Sequence, residues 1–174
     1  MTDPRYPIGK AEMPEQLTAE ERRELIDQID GTPARLRAAV AGLNDEQLDT
    51  PYRPGGWTVR QLAHHVPDSH MNAYTRFKLA LTEDAPAIKT YDEARWAELP
   101  DSRSLPIEVS LVLLEALHGR WTALLRALPE ADFAHTCKHP DWGLVNLNQL
   151  LGLYAWHGRH HVAHVTALRE RMGW

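Results

Sequence analysis

The sequence predicts an all-α fold, a four-helix bundle, on three observations. Four long segments place apolar residues three and four apart, the spacing that gives a helix one buried stripe. Three of those segments begin with a side-chain acceptor three residues ahead of Glu or Gln, the capping-box pattern. No stretch alternates apolar and polar residues over strand length, which argues against a sheet.

Thr18-Ala-Glu-Glu21 opens the first helix, with Leu25, Ile26 and Ile29 turned inward and Gly31 at its end. Thr32-Pro33 restarts helical structure, because proline at the first helical position gives up no needed donor, and Leu36, Val40 and Leu43 share one face. Between Leu48 and Trp57, Pro51, Pro54, Gly55 and Gly56 are too dense for a helix and predict a loop. Thr58-Val-Arg-Gln61 begins the second long helix, carrying Val59, Leu62, Val66, Ala73 and Phe77 on one side. Pro67 inside it removes a backbone hydrogen bond and predicts a kink.

The polar, proline-bearing stretch from Asp84 to Pro106 reads as a crossover with one helical turn around Asp92 to Trp96. From Ile107 to Leu128, Leu111, Leu114, Leu117, Trp121, Leu124, Leu125 and Leu128 define the third helix, and Pro129 ends it. A second long connection, Glu130 to Val145, leads to Asn146-Leu-Asn-Gln149, which caps a fourth helix reaching Met172 and closed by Gly173. Bundles of this kind build their sites from side chains projecting between facing helices.

The 174 residues, 43% of them hydrophobic, suit one domain spanning 1–174 with a sizeable core. A net charge of -5 gives no basic field for nucleic acid or an anionic membrane, so a small-molecule substrate is the expected partner. Cys137 is the single cysteine; it excludes an intramolecular disulfide, and its polar neighbours predict a surface thiol. The N-terminus lacks an apolar leader and the apolar run Leu150 to Trp156 is too short to span a bilayer, so a cytoplasmic protein is expected.

Four of the ten histidines fall within Trp156-His157-Gly158-Arg159-His160-His161-Val162-Ala163-His164. Stepping along the fourth helix by threes and fours gives Leu150, Tyr154, His157, His161, His164 and Leu168, a core stripe with imidazoles in its middle. His157 and His161, four apart on one face, can reach a single ion. A catalytic zinc takes three protein ligands and keeps one position open, so a third ligand must come from another element. The second helix offers His65, beside the inward Leu62, Val66 and Ser69, ahead of His64, which shares a face with Arg60, Asp68 and Met71. Three buried imidazoles without a metal would leave nitrogens unpaired at about 1 to 3 kcal/mol each. His160 points more toward solvent, His164 reads as a neighbour of the site, His118 as pocket-lining or interfacial, and His70 as a satisfied core histidine. His139-Pro140-Asp141 is explained by turn chemistry.

Gly56-Trp57-Thr58-Val59-Arg60-Gln61-Leu62-Ala63-His64-His65-Val66, Asp68-Ser69-His70-Met71-Asn72, His118-Gly119-Arg120-Trp121 and Tyr154-Ala155-Trp156-His157-Gly158-Arg159-His160-His161 resemble the YfiT group of DinB-like proteins, over nearly the whole chain. The resemblance implies a DinB-like four-helix bundle, a homodimer, and zinc or nickel held by three histidines in a metal-dependent hydrolase. Matched position by position, the family's ligands fall on His65, His157 and His161. Pro67 stands where many members have alanine, and His164 where many have glutamine. Related DinB-like enzymes transfer low-molecular-weight thiols of the bacillithiol type, which implies an S-transferase as the second reading.

The expected function is a hydrolase whose metal activates water at an open coordination position. Asp68, one turn beyond His65, is the weak candidate for a general base. A non-catalytic metal-binding bundle is the third reading; three ligands rather than four argue against a closed structural site.

Overall fold

A computed structural model describes residues 3–174. Helices α1 (Ala19–Asp30), α4 (Val59–Thr82), α7 (Glu108–Ala127) and α8 (Leu147–Met172) form the bundle, and α2 (Thr32–Val40) prolongs α1 after a break at Gly31. The α1/α2 arm packs against α7 and α8, which both also pack against α4, so α1/α2 and α4 lie on opposite sides. Capping boxes at Thr18/Glu21, Thr58/Gln61 and Asn146/Gln149 start α1, α4 and α8 as the sequence predicts. Gly173, left-handed at φ 72°, ends α8. Helix α4 runs unbroken from Val59 to Thr82 with Pro67 inside it.

The loop regions hold more structure than expected. A fourth capping-box helix, α3 (Asp45–Leu48), precedes the proline-rich loop, and the crossover contains α5 (Glu93–Trp96) and α6 (Pro100–Ser104). The second connection carries an antiparallel hairpin of β1 (Thr136–His139) and β2 (Gly143–Asn146), which the sequence reading missed. Main-chain bonds from Lys138 N–H to Pro86 and from Ile88 N–H to Lys138 fasten the crossover to this hairpin. Cys137, expected at the surface, is fully buried, because it lies on the face of β1 that packs on the core. Among the described residues, no helix is long and apolar enough to cross a membrane.

The core is split. One apolar cluster gathers Ile29, Phe77, Trp121, Leu125 and Leu150, and a second gathers Leu36, Leu62, Leu114, Val165 and Leu168. Where α4, α7 and α8 pass from one cluster to the other they carry histidines: His70, with His65 beside Val66 at the edge of the second cluster, His118, and His157 and His161. The α1/α2 break lies at the same level, between Ile29 and Leu36. The bundle thus sandwiches an imidazole layer between two apolar layers.

Gly158 lets α8 approach that break. A Cβ built there would lie 2.6 Å from Thr32 Oγ1 and 2.7 Å from its Cγ2. Gly158→Ala is therefore expected to lower stability by ~1–3 kcal/mol through overpacking, and Thr32→Ala should recover most of the loss. Thermal melts of the single and double variants measure both effects; equal melting of Gly158→Ala and the unaltered protein would contradict the close approach.

Candidate metal centre

Helices α4 and α8 present three buried or nearly buried imidazoles to one point. His157 Nε2 lies 3.3 Å from His65 Nε2 and 3.2 Å from His161 Nε2, and one nitrogen from each residue lies within 4.8 Å of the others. Burial pushes His65 down to about 4, and burial followed by the neighbouring imidazoles holds His157 and His161 well below the usual histidine range. All three rings are neutral near pH 7, as metal ligands must be.

The spacing fits an ion. Two nitrogens each about 2.05 Å from a tetrahedral zinc stand about 3.3 Å apart. Without an ion, His65 and His161 would both have to donate to the one in-plane lone pair of His157 Nε2, which accommodates a single good bond.

A chain of hydrogen bonds fixes which nitrogen of His157 faces this point. The carbonyl of Ile29, near the end of α1, can only accept, so His118 Nδ1–H donates to it at 2.7 Å. Neutral His118 then accepts at Nε2 from His70 Nδ1–H, also at 2.7 Å. His70 in turn accepts at Nε2 from His157 Nδ1–H at 3.0 Å, which leaves a lone pair on His157 Nε2. Burial holds His118 at about 4 and His70 well below the ordinary value, so the chain stays neutral and its direction is set. His161 Nδ1, by contrast, is buried without a partner.

The other histidines separate clearly. His64 uses both nitrogens, Nδ1 with Ser110 Oγ at 2.7 Å and Nε2 with the Leu105 carbonyl at 3.1 Å, and so ties α4 to α7 away from the triad. His160, expected to point toward solvent, is buried: it stacks on Trp156 with centroids 4.2 Å apart, and its Nε2 meets His164 Nε2 at 3.0 Å. The N-terminal segment covers this side of α8, with Trp156 Nε1–H donating to the Gly9 carbonyl. His164 packs on Tyr52 and lies one ring away from His161.

His157 and His161 line a cleft of about 650 Å³, with His65 behind them, and its walls include Trp57, Tyr91, Trp142 and Trp156. His139 stacks on Trp142 at the rim, a role beyond the turn chemistry expected of it. Ser69 Oγ sits 3.4 Å from His157 Nε2. Asp68 has its pKa raised to about 6, by burial and then by Asp101, but it is not among the residues lining the cleft. Two acids, Glu93 and Asp141, line the cleft; Glu93, exposed at its surface, is raised above its ordinary value because partial desolvation outweighs the opposing charge of Arg76. Sequence reasoning missed Glu93, Tyr91 and Arg76. For Arg76 there was a signal: it continues the stripe Leu62, His65, Ser69 and Ala73 by a step of three, a charge on the buried side of α4.

Comparison with known proteins agrees with this layout. Residues 28–165 match the model of the DinB superfamily. A Bacillus cereus (strain AH820) protein is 56% identical over the whole of both chains, and one from Bacillus mycoides (strain KBAB4) is 55% identical over the same extent; each is named "Putative metal-dependent hydrolase". Among solved structures, YfiT from Bacillus subtilis, described as a "probable metal-dependent hydrolase with an unusual four-helix bundle topology", matches with a TM-score of 0.96 and 51% identity, covering 99% of each chain. The four-helix bundle protein TT2238 shares the fold at a TM-score of 0.58 and 21% identity, over 81% of this chain and 94% of its own. The helical bundle, the matched segment and relatives of this identity over their full length place the chain in the DinB superfamily.

Proposed function

We propose that this protein is a metal-dependent hydrolase in which Nε2 of His65, His157 and His161 holds one divalent ion, zinc ahead of nickel. The observation that carries the reading is the convergence of three neutral imidazole nitrogens, two of them on residues that line an open cleft. The names of the full-length relatives support it. An ion on three imidazoles with one free position supplies Lewis acidity and lowers the pKa of coordinated water toward about 7.

The chain's own groups do the rest. The Ile29, His118 and His70 chain keeps His157 in the tautomer that offers Nε2 and stops its ring from turning. Ser69 Oγ can hydrogen-bond a group bound beside His157. Glu93, rather than Asp68, is the carboxylate in position to accept a proton within the cleft. The aromatic walls exclude water from an apolar substrate body. The same proposal makes the chain a homodimer, pairing through the exposed Val109, Val112 and Leu113 of α7; sedimentation equilibrium showing only monomer would remove that part.

The test is turnover by the zinc-loaded protein of ester, amide and lactone panels, run beside electrophiles mixed with cellular thiols. Hydrolysis without thiol, lost on chelation and restored by zinc, is expected. Turnover that requires a thiol would replace this reading with S-transfer, and no turnover of either kind would leave a non-catalytic bundle.

The hydrogen-bonded chain has its own expected result. His70→Phe and His118→Phe should weaken metal affinity by about 10–100-fold, measured by competition with a chromogenic chelator. An unchanged affinity in both would show that the chain does not orient His157.

A further inference from the structure

Arg76 is buried, with 8% of its surface exposed, yet no carboxylate among the described residues pairs with it. Its Nη1 donates to the Tyr154 hydroxyl at 2.7 Å and its Nη2 to the Lys89 carbonyl at 3.2 Å. A guanidinium has five N–H donors, so these neutral partners leave donors to spare, and Glu93, close enough to feel the charge, makes no ion pair with it. A buried charge without a counter-ion is costly, and proteins keep one where a ligand completes the pair. Arg76 lines the cleft above the triad, and the Tyr154 ring that holds it lies 6.0 Å, centroid to centroid, from the ring of His157.

A second group in the same cleft is also incomplete. The Tyr91 hydroxyl is buried without a hydrogen-bond partner; the Ser69 hydroxyl approaches without a well-directed bond. Burial keeps that phenol protonated, and hence a donor, throughout the physiological range. We propose that Arg76, assisted by Tyr91, is an anion-binding subsite that holds the carboxylate of the substrate while its apolar body lies along the tryptophans and its reacting bond reaches the triad. The inference rests on the hydrolase reading for the identity of the cleft, and it narrows the substrate to carboxylate-bearing molecules. A carboxylate suits the site better than a phosphate. Arg matches the planar carboxylate fork, and Glu93 and Asp141, which line the same cleft, would repel a dianion more than a monoanion.

Calorimetric titration of the zinc-loaded full-length protein with 4-phenylbutanoate, 4-phenylbutanamide and 3-phenylpropylphosphonate tests this without any turnover. The acid should bind at least about tenfold tighter than the amide, and tighter than the phosphonate. Arg76→Gln should abolish the preference for acid over amide and Arg76→Lys should keep part of it. Glu93→Gln, which removes a like charge, should tighten the acid without moving the amide, and this arm decides the matter if Arg76→Gln fails to fold. Equal binding of acid and amide, a preference that survives Arg76→Gln, or a phosphonate that outcompetes the acid would each overturn the assignment. Carboxylate selectivity without any hydrolysis would sink the hydrolase reading alone, whereas hydrolysis indifferent to a carboxylate would sink this subsite alone.

Discussion

His157→Ala is expected to leave the purified protein with less than a tenth of the metal bound by the unaltered chain, and to remove hydrolytic activity with it. His157 stands between the other two proposed ligands, its Nε2 3.3 Å from His65 Nε2 and 3.2 Å from His161 Nε2, so its loss removes the nitrogen that is near both. Zinc normally takes three protein ligands in a catalytic site, and each lost imidazole removes several kcal/mol of the ~10–16 kcal/mol typical of structural zinc binding. His161→Ala should behave in the same way. His64→Ala should not, because that ring is spent on Ser110 and Leu105. Elemental analysis after gel filtration is the measurement; stoichiometric metal in His157→Ala would move the site elsewhere.

The second large effect is acid unfolding. His65 and His118 are held at about 4 in the folded protein against an ordinary value near 6.5, chiefly by burial. A depressed pKa means that the unfolded chain binds more protons than the folded one between those limits. Stability is therefore undiminished above about pH 6.5 and falls as the pH drops toward 4, by up to ~1.4 kcal/mol per pH unit for each such imidazole. His160 and His164, also at about 4, and the more deeply shifted His70, His157 and His161 add to the slope. A domain stable by ~5–15 kcal/mol has little left at the lower limit. The metal-free protein should unfold between about pH 6 and 4, and the zinc-loaded protein at lower pH, because an ion on Nε2 competes with the proton. Circular dichroism against pH checks this, and stability that stays level from pH 7 to 4.5 in the metal-free protein would refute it.

Much of this was legible before any coordinates. Thr18, Thr58 and Asn146 marked three helix starts because a capping box is purely local chemistry. That His157 and His161 share a face was legible because four residues on a helix is a fixed distance, and that His65 turns inward because Leu62, Val66 and Ser69 surround it on one face. What failed depended on contacts distant in sequence. The hairpin strands are four residues each, too short to show a period, and they exist because Lys138 pairs with Pro86 and Ile88. Cys137 looked exposed among Thr136, Lys138 and His139, but alternation along β1 turns it to the core. His160 lies off the apolar stripe of α8 and is covered by Tyr6 and by Trp156, which bonds to the Gly9 carbonyl; no helical wheel of α8 contains this N-terminal cover. The chain from Ile29 through His118 and His70 joins three separate helices, so neither its members nor its direction could be read from spacing.

That chain begins on a carbonyl of α1, a helix that contributes none of the three converging nitrogens. If α1 slipped by one residue, the acceptor would move, the proton pattern of three imidazoles could invert, and His157 would present an N–H where a lone pair is required. The last turn of α1 therefore sets which way the protons of that chain point. Tight capture of the ion would thus report that a helix supplying none of its ligands had seated in register.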